Sequence, residues 1–162
     1  KADIRVHFDN RDTHKPGFKF NEYELKGVPL RIGIGPRDLE NGTVELARRD
    51  TLSKKSVAQT DLVNEIKSTL KEVQVDLFER AKDFRADHTT EVDTFDAFKE
   101  VLETKGGFVS AFWDGTEATE TSIKEATKAT IRCVPLDSKA ESGRCVFSGK
   151  PAKHRALFAK AY

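Results

Sequence analysis

A long amphipathic helix in the middle of the chain is the feature that most constrains the fold. From Thr60 to about Ala86, apolar residues recur at spacings of three and four, which is the period of one helix face. The stripe consists of Val63, Ile66, Leu70, Val73, Leu77, Ala81 and Phe84. A chain of 162 residues can form one large domain or two small ones. The position of this helix indicates two units, one before it and one after it.

The segment before the long helix shows the pattern of an α/β unit. The predicted elements are a strand over residues 4–8, a helix between Pro16-Gly17 and Lys26-Gly27, strands over 28–34 and 43–49 separated by a turn over 37–42, and a polar stretch over 50–56. Strand, helix, strand, turn and strand in this order are typical of α/β folds.

The first predicted helix presents two different faces. Phe18 and Leu25 lie seven residues apart on one face, which we assign to the core. Phe20, Tyr23 and Glu24 share another face, so two aromatic rings and a carboxylate point the same way.

The segment after the long helix predicts a separate α+β unit. Thr94 is positioned to cap a helix that Gly106-Gly107 stops. The elements predicted after it are a strand over 108–114, a helix over 117–127, and strands over 129–134, 144–147 and 154–159.

Composition and charge narrow the class of protein. The formal net charge is only +1, far from the strongly basic balance of a general polyanion binder. Residues 1–55 carry 12 basic and 9 acidic side chains and the remainder 16 and 18, so any nucleic-acid face is expected in the first third. Two cysteines, no long apolar run and no leader predict a soluble cytoplasmic protein. Because the chain lacks Met and starts with Lys1 inside a predicted strand, we interpret it as an excised part of a longer protein.

The sequence contains no recognisable active site of its own. Residues 33–36 resemble a dinucleotide loop but lack its third glycine, and Pro36 stands where a helix N-terminus would bind phosphate. Residues 148–151 end in Pro where a P-loop requires Ser or Thr. The four histidines are scattered, and none has a nucleophile motif beside it.

The face formed by Phe20, Tyr23 and Glu24 suits recognition of an unstacked base. Aromatic rings stack on bases, and one carboxylate can accept both adjacent donors of guanine, whereas adenine presents an acceptor at N1. Arg31 and Arg37 can add planar donors for base edges or phosphate oxygens. From the pattern alone, a second interpretation stays open, in which these charges are solvated and the aromatic rings only pack.

A family resemblance favours the first interpretation. Residues 16–51, PGFKFNEYELKGVPLRIGIGPRDLENGTVELARRDT, resemble the anticodon-binding domain of class II synthetases, and their KFNEYELKGVP opening resembles prolyl-tRNA synthetases. HTTEVDTFDAFKEVLE, the segment from GGFVSAFWDG to CVPLD and the ending GKPAKHRALFAKAY resemble the extra C-terminal domain of the eukaryote-like branch of that family. The resemblance implies an α/β fold with a five-stranded mixed sheet and flanking helices at residues 1–70, followed by a smaller α+β C-terminal domain at 71–162.

The resemblance also implies a function. The parent enzyme would be a proline–tRNA ligase that charges tRNA with proline, using ATP and Mg in a catalytic domain that is absent here. This part would bind the anticodon loop of proline tRNA, contact its own catalytic domain and belong to a homodimer. The implied anticodon contacts are Phe20, Glu24, Arg31, Arg37, Asp38 and Lys54. The carboxylate of Tyr162 would reach toward the catalytic domain. The alternative is a free-standing RNA-binding or interaction module that borrowed the fold.

The zinc site of this family's C-terminal domain is degenerate in the chain. Cys133 and Cys145 match one member of each expected cysteine pair, but Ser148 stands at the second position of the later pair. Two thiolates and a neutral alcohol are a poor ligand set for tetrahedral zinc, with or without His154. The sequence therefore predicts no bound zinc and no cofactor in this part of the protein.

Overall fold

The computed structural model describes residues 2–138 and 140–161, which form two compact units. The first unit covers residues 1–81 and the second covers 82–162. Tyr162, to which the resemblance assigns a role, lies outside the described residues. No helix of residues 2–138 or 140–161 is both long enough and apolar enough to cross a membrane.

The first unit places helices around a three-stranded antiparallel sheet. Its elements are α1 (Pro16–Leu25), β1 (Leu30–Gly33), α2 (Pro36–Asn41), β2 (Thr43–Arg48), β3 (Lys54–Ala58) and α3 (Leu62–Asp87), the last of which continues into the second unit. The strand order is β1-β2-β3, so β2 is central. The predicted central helix is confirmed, because α3 spans nearly the range that the apolar period indicates.

One face of this sheet packs against α3. Val44, Leu46 and Val57 from the sheet form a buried cluster with Ile66 of α3. Burying an aliphatic side chain of this kind contributes about 1.5 to 3 kcal/mol. Since strand side chains alternate between faces, the residues between these positions point away from α3.

Arg48 also fastens the sheet to α3. Its guanidinium donates to Asp50 at 2.8 Å and to Asp76 of α3 at 2.6 Å, and Glu72 lies 3.5 Å away. Hydrogen bonds to Asp50 and Asp76 raise the pKa of Arg48, and the hydrogen bond from Arg48 lowers the pKa of Asp50. The end of β2 is therefore held on the helix by charge-assisted hydrogen bonds.

The strand expected at residues 4–8 is wrong for this structure. No described strand lies beside this segment, so its backbone has no ladder partner. Val6 and Phe8 are 75% and 81% exposed. Side chains instead hold the segment that follows: Arg11 donates to Asp9 at 2.7 Å and to Glu22 of α1 at 2.6 Å.

Three further expectations for the first unit need correction. Phe18 and Leu25 are not core residues, because their side chains are 54% and 90% exposed. The turn expected over residues 37–42 is the short helix α2, whose first turn Asp38 stabilises by accepting from Gly35 N–H at 2.8 Å. The polar stretch over 50–56 contains the start of β3, which pairs with β2 from Lys54 onward.

The second unit contains a mixed four-stranded sheet flanked by two helices. Its elements are β4 (Thr89–Glu91), α4 (Phe95–Thr104), β5 (Phe108–Trp113), α5 (Glu117–Thr127), β6 (Ala129–Cys133), β7 (Gly143–Arg144), β8 (Pro151–Ala152) and β9 (His154–Lys160). The strand order is β4-β5-β9-β6, with β4 parallel to β5 and the other pairs antiparallel. A separate small ribbon pairs β7 with β8.

Local signals define the helix ends in this unit. The Thr94 hydroxyl accepts from Ala97 N–H and begins α4, as the sequence predicts. Gly106 and Gly107 end it with φ of +67° and +79°, and a Cβ on Gly107 would lie 2.5 Å from the His88 carbonyl oxygen. Phe98 of α4 then packs edge-to-face on Phe158 of β9 in the core, with ring centroids 5.2 Å apart. The α/β class expected from the sequence is confirmed for the chain.

Candidate nucleic-acid interface

The sheet face that points away from α3 carries charged side chains from all three strands. In the antiparallel register, Arg31 of β1 and Lys54 of β3 both lie opposite Ala47 of β2. Glu45 lies two residues before Ala47 and therefore points the same way. We call this surface the open sheet face. Its members are Arg31, Gly33, Glu45, Ala47, Lys54 and Ser56.

Helix α1 lies beside this face and contributes the aromatic residues. Phe20, Tyr23 and Glu24, at positions i, i+3 and i+4, line one cleft together with Arg31 and Arg49. The cavity within it is about 20 Å³, enough for one water molecule and far too small for a nucleobase. A base would therefore contact the rim of the cleft.

Arg31 is held in a defined orientation by two partners. Its guanidinium carbon lies 3.6 Å from the centroid of the Phe20 ring, a cation–π stack. Its Nη1 donates to Glu45 Oε1 at 3.1 Å, and the side chain is only 20% exposed. Glu45 also lies 3.6 Å from the ammonium of Lys54, which is half exposed.

The carboxylate of Glu24 is free, although it is partly buried at the cleft. Among the described residues it has no hydrogen bond or ion pair, whereas Glu22 on the same helix is engaged by Arg11 and Lys26, both at 2.6 Å. Hydrogen bonds from Lys26 and Arg11 lower the pKa of Glu22 to about 2. Glu24 is thus available to an external donor.

Two of the predicted site residues lie on α2 and do not line the cleft. Arg37 is exposed, and its guanidinium has no partner within residues 2–138 and 140–161. Asp38 accepts from Gly35 N–H and lies 3.4 Å from the Thr43 hydroxyl, so it stabilises the start of α2. The structure therefore groups Phe20, Glu24, Arg31 and, through Glu45, Lys54.

Sequence reasoning missed Glu45 and Arg49 as members of this region. Arg49 follows β2 and lines the cleft, and Glu45 joins two of the predicted cations. The alternation along the predicted strand at residues 43–49 was the available signal, since it places Glu45, Ala47 and Arg49 on one side. Tyr23, noted but not selected, has its hydroxyl 2.7 Å from His7 Nε2.

In the degenerate zinc region of the second unit, the carboxylate of Asp114 accepts several hydrogen bonds. Ser148, at an expected cysteine position, donates to Asp114 Oδ2 at 2.6 Å, and Thr119 donates to the same oxygen at 2.9 Å. Burial raises the pKa of Asp114, but hydrogen bonds from Ser148, Thr116 and Thr119 outweigh it and lower the pKa to about 2. Cys133 is exposed and Cys145 is buried. The described residues contain no group of three or more His, Cys, Asp or Glu side chains that could hold a metal ion.

Comparison with known families identifies both units. The family model "Anticodon binding domain" matches residues 1–69, and the model "Prolyl-tRNA synthetase, C-terminal" matches residues 95–162. Residues 1–69 thus belong to the class of anticodon-binding domains. The chain is a member of the prolyl-tRNA synthetase family.

Curated relatives agree with this assignment. The "Proline--tRNA ligase" of Flavobacterium johnsoniae is 60% identical over the whole chain, and that of Cytophaga hutchinsonii is 54% identical over 99% of it. The protein of the same name from Porphyromonas gingivalis is 50% identical over 98% of the chain. The chain spans about a third of the length of these relatives.

Proposed function

We propose that the chain recognises the anticodon of proline tRNA as part of a proline–tRNA ligase. The observation that carries this proposal is the free, partly buried carboxylate of Glu24 beside the stacked pair of Phe20 and Arg31. A partly buried acceptor without a partner in the described residues is suited to a ligand that donates hydrogen bonds. The two family matches support an RNA anticodon as that ligand.

Guanine is the base that this arrangement suits. Proline codons begin with two cytosines, so the paired anticodon bases are guanines. Glu24 would accept from guanine N1–H and N2–H₂, and the base would stack on the outer side of the Phe20–Arg31 pair. Adenine would set its N1 acceptor against the carboxylate and leave Glu24 unpaired.

The remaining predicted residues would act around this contact. Arg37, exposed and without a described partner, would bind a phosphate or a base edge. Lys54, half exposed beside Glu45, would neutralise a backbone phosphate. Asp38 would position α2, and with it Arg37, through the hydrogen bond from Gly35 N–H.

We assign residues 1–70 to the anticodon-binding domain and 71–162 to the C-terminal domain. We further propose that the first domain has a five-stranded mixed sheet in the longer protein. Among the described residues the outer edge of β1 is unpaired, so a further strand can add there. A cavity of about 560 Å³ lined by residues 2–6, Ile32 and the start of α3 also supports this arrangement.

The chemistry of proline activation belongs, in this proposal, to the rest of the ligase. ATP and Mg would bind in a separate catalytic domain, with which this chain would pack, and the enzyme would be a cytoplasmic homodimer. The C-terminal domain would work without zinc, since Ser148 is engaged by Asp114 rather than free to act as a ligand.

Replacing Glu24 by Gln tests the proposal. The amide presents a donor to guanine's donors, a mismatch that costs about 1 to 3 kcal/mol, so discrimination for guanine should fall roughly 5- to 150-fold. The measurement is binding of the full-length ligase to anticodon stem-loops with the two guanines intact or changed to adenine. Glu65→Gln, on the α3 side of the sheet and paired with Lys55, is the matched charge control.

Two results of the stem-loop binding experiment would contradict the proposal. If the parent protein binds both stem-loops equally, anticodon recognition fails and the free-standing interaction module becomes the better account. If the parent discriminates and the Glu24→Gln variant discriminates equally well, Glu24 is a solvated surface charge.

A further inference from the structure

We propose that Glu45 is a positioning residue that sets RNA specificity by orienting Arg31 and restraining Lys54. This inference rests on the proposed anticodon recognition and adds a residue that makes no contact with the base itself. Glu45 is an acidic side chain on a face that would meet a polyanion, so its presence there needs a physical reason.

The geometry gives Glu45 a central place. It lies on β2, the middle strand, and its two carboxylate oxygens reach outward to different neighbours. Oε1 accepts from Arg31 of β1 at 3.1 Å, and Oε2 lies 3.6 Å from Lys54 Nζ of β3. One carboxylate thus links cations from both outer strands of the sheet.

The contact with Arg31 fixes the direction of the guanidinium. Phe20 covers one face of this planar group, and Glu45 holds one of its edges. These two contacts limit the rotation of the planar group within a cleft that Glu24 also lines. Exposed ion pairs contribute little to stability, so the arrangement matters mainly for orientation.

The contact with Lys54 limits non-specific binding. A free lysine ammonium is a point charge that attracts any phosphate, whatever the base sequence. Glu45 offsets part of that attraction and leaves the shaped contacts at Glu24 and Arg31 to decide which RNA binds. Specificity is a difference of affinities, and a charge that weakens the wrong complex increases it.

Glu45→Gln in the full-length ligase separates these effects. We expect the affinity for the adenine-substituted stem-loop to rise and the affinity for the guanine stem-loop to stay level or fall. Discrimination between the two should therefore drop roughly tenfold, which is the size of the effect of one well-oriented base contact. The slope of log affinity against log salt should steepen by about 0.7 for each cation released to a phosphate. The melting temperature should stay within about 2 °C of the parent, since the pairs are partly exposed.

Two matched variants sharpen the result. Glu65→Gln makes the same charge change on the opposite side of the sheet, where Glu65 pairs with Lys55, and should leave discrimination and salt slope unchanged. Glu45→Asp keeps the charge but shortens the reach, so the salt slope should stay near the parent value while discrimination falls.

The outcomes distinguish this inference from the proposed function. If the parent discriminates guanine from adenine and Glu45→Gln changes neither discrimination nor salt slope, the role of Glu45 is refuted while anticodon recognition stands. If Glu65→Gln matches Glu45→Gln, the effect is one of net charge and the positioning role is again refuted. A parent protein that does not discriminate refutes both.

Discussion

Two glutamates on α1 show how much depends on single residues. Glu22 and Glu24 are two positions apart, yet Glu22 is held by Arg11 and Lys26 while Glu24 has no partner among the described residues. The difference arises because a helix turns by about 200° over two residues, so one side chain faces the N-terminal segment and the other faces the sheet. The free carboxylate is the one that can bind a ligand.

Thr69 offers a test of stability at the same scale. It is 1% exposed on α3, and its hydroxyl has no hydrogen-bond partner among the described residues. Thr69→Val removes the unpaired hydroxyl at nearly constant shape, so we expect the free energy of unfolding to rise by up to about 1 kcal/mol. Urea denaturation of the 162-residue chain measures it.

The control is Thr69→Ser, which keeps the hydroxyl and deletes a buried methyl group. It should lower the free energy of unfolding by about 1 kcal/mol. A loss of more than 1 kcal/mol in Thr69→Val would mean that the hydroxyl makes a hydrogen bond in solution.

At the scale of elements, the loop after β7 is held without metal. Cys145 N–H donates to the Lys150 carbonyl at 2.8 Å, and Gly149 N–H donates to the Cys145 carbonyl at 2.9 Å, which closes the loop on itself. Ser148 then anchors the loop to Asp114, just before α5. A charge-assisted hydrogen bond from Ser148 thus joins this loop to the segment before α5, at the position where the family pattern predicts a zinc ligand.

Asp114→Asn tests this anchor. Asp114 has a pKa of about 2, below the usual 3.8, so its charged form contributes stability above about pH 4 that is lost as pH falls through about 2. We expect the variant to lose about 1 to 2 kcal/mol at pH 7 and to show a flatter decline of stability between pH 4 and 2. Denaturation at a series of pH values gives both quantities.

Asp96→Asn is the comparison for this experiment. Asp96 is almost fully exposed and pairs only with Lys99 among the described residues. Its replacement should change stability by less than 0.5 kcal/mol, the usual range for surface substitutions. An Asp114→Asn variant with the parent's pH profile would show that the hydrogen bonds at Asp114 do not hold in solution.

At the scale of the whole molecule, the degenerate zinc region predicts the metal content of the purified protein. Cys133 is exposed, Cys145 is buried, and the Ser148 hydroxyl is engaged by Asp114. We expect the purified protein to contain no stoichiometric zinc, because tetrahedral zinc requires four good ligands. Ser148→Cys should not restore binding, since Cys133 still lacks its pair. Elemental analysis is decisive: one zinc per chain, lost on replacing Cys133 and Cys145, would contradict this expectation.

Local sequence signals determined much of the secondary structure. The apolar period located α3, and Thr94 with Gly106-Gly107 bounded α4, because helices are defined by contacts within a few residues. Strands depend on a partner distant in sequence. Residues 4–8 alternate correctly but form no strand without a neighbour, and β3 begins with polar residues that pattern alone assigns to a loop.

In the candidate site, too, the sequence predicted several of the residues that take part, whereas the contacts between them came from the tertiary structure. The spacing of Phe20, Tyr23 and Glu24 placed three side chains on one helix face, and strand alternation placed Arg31 away from the core, so the sequence alone predicted this group. Only the tertiary structure showed that Arg31 stacks on Phe20, that Glu45 joins Arg31 to Lys54, and that the Glu24 carboxylate has no partner among the described residues. Periodicity fixes which way a side chain points, whereas strand register and helix packing decide what it meets there.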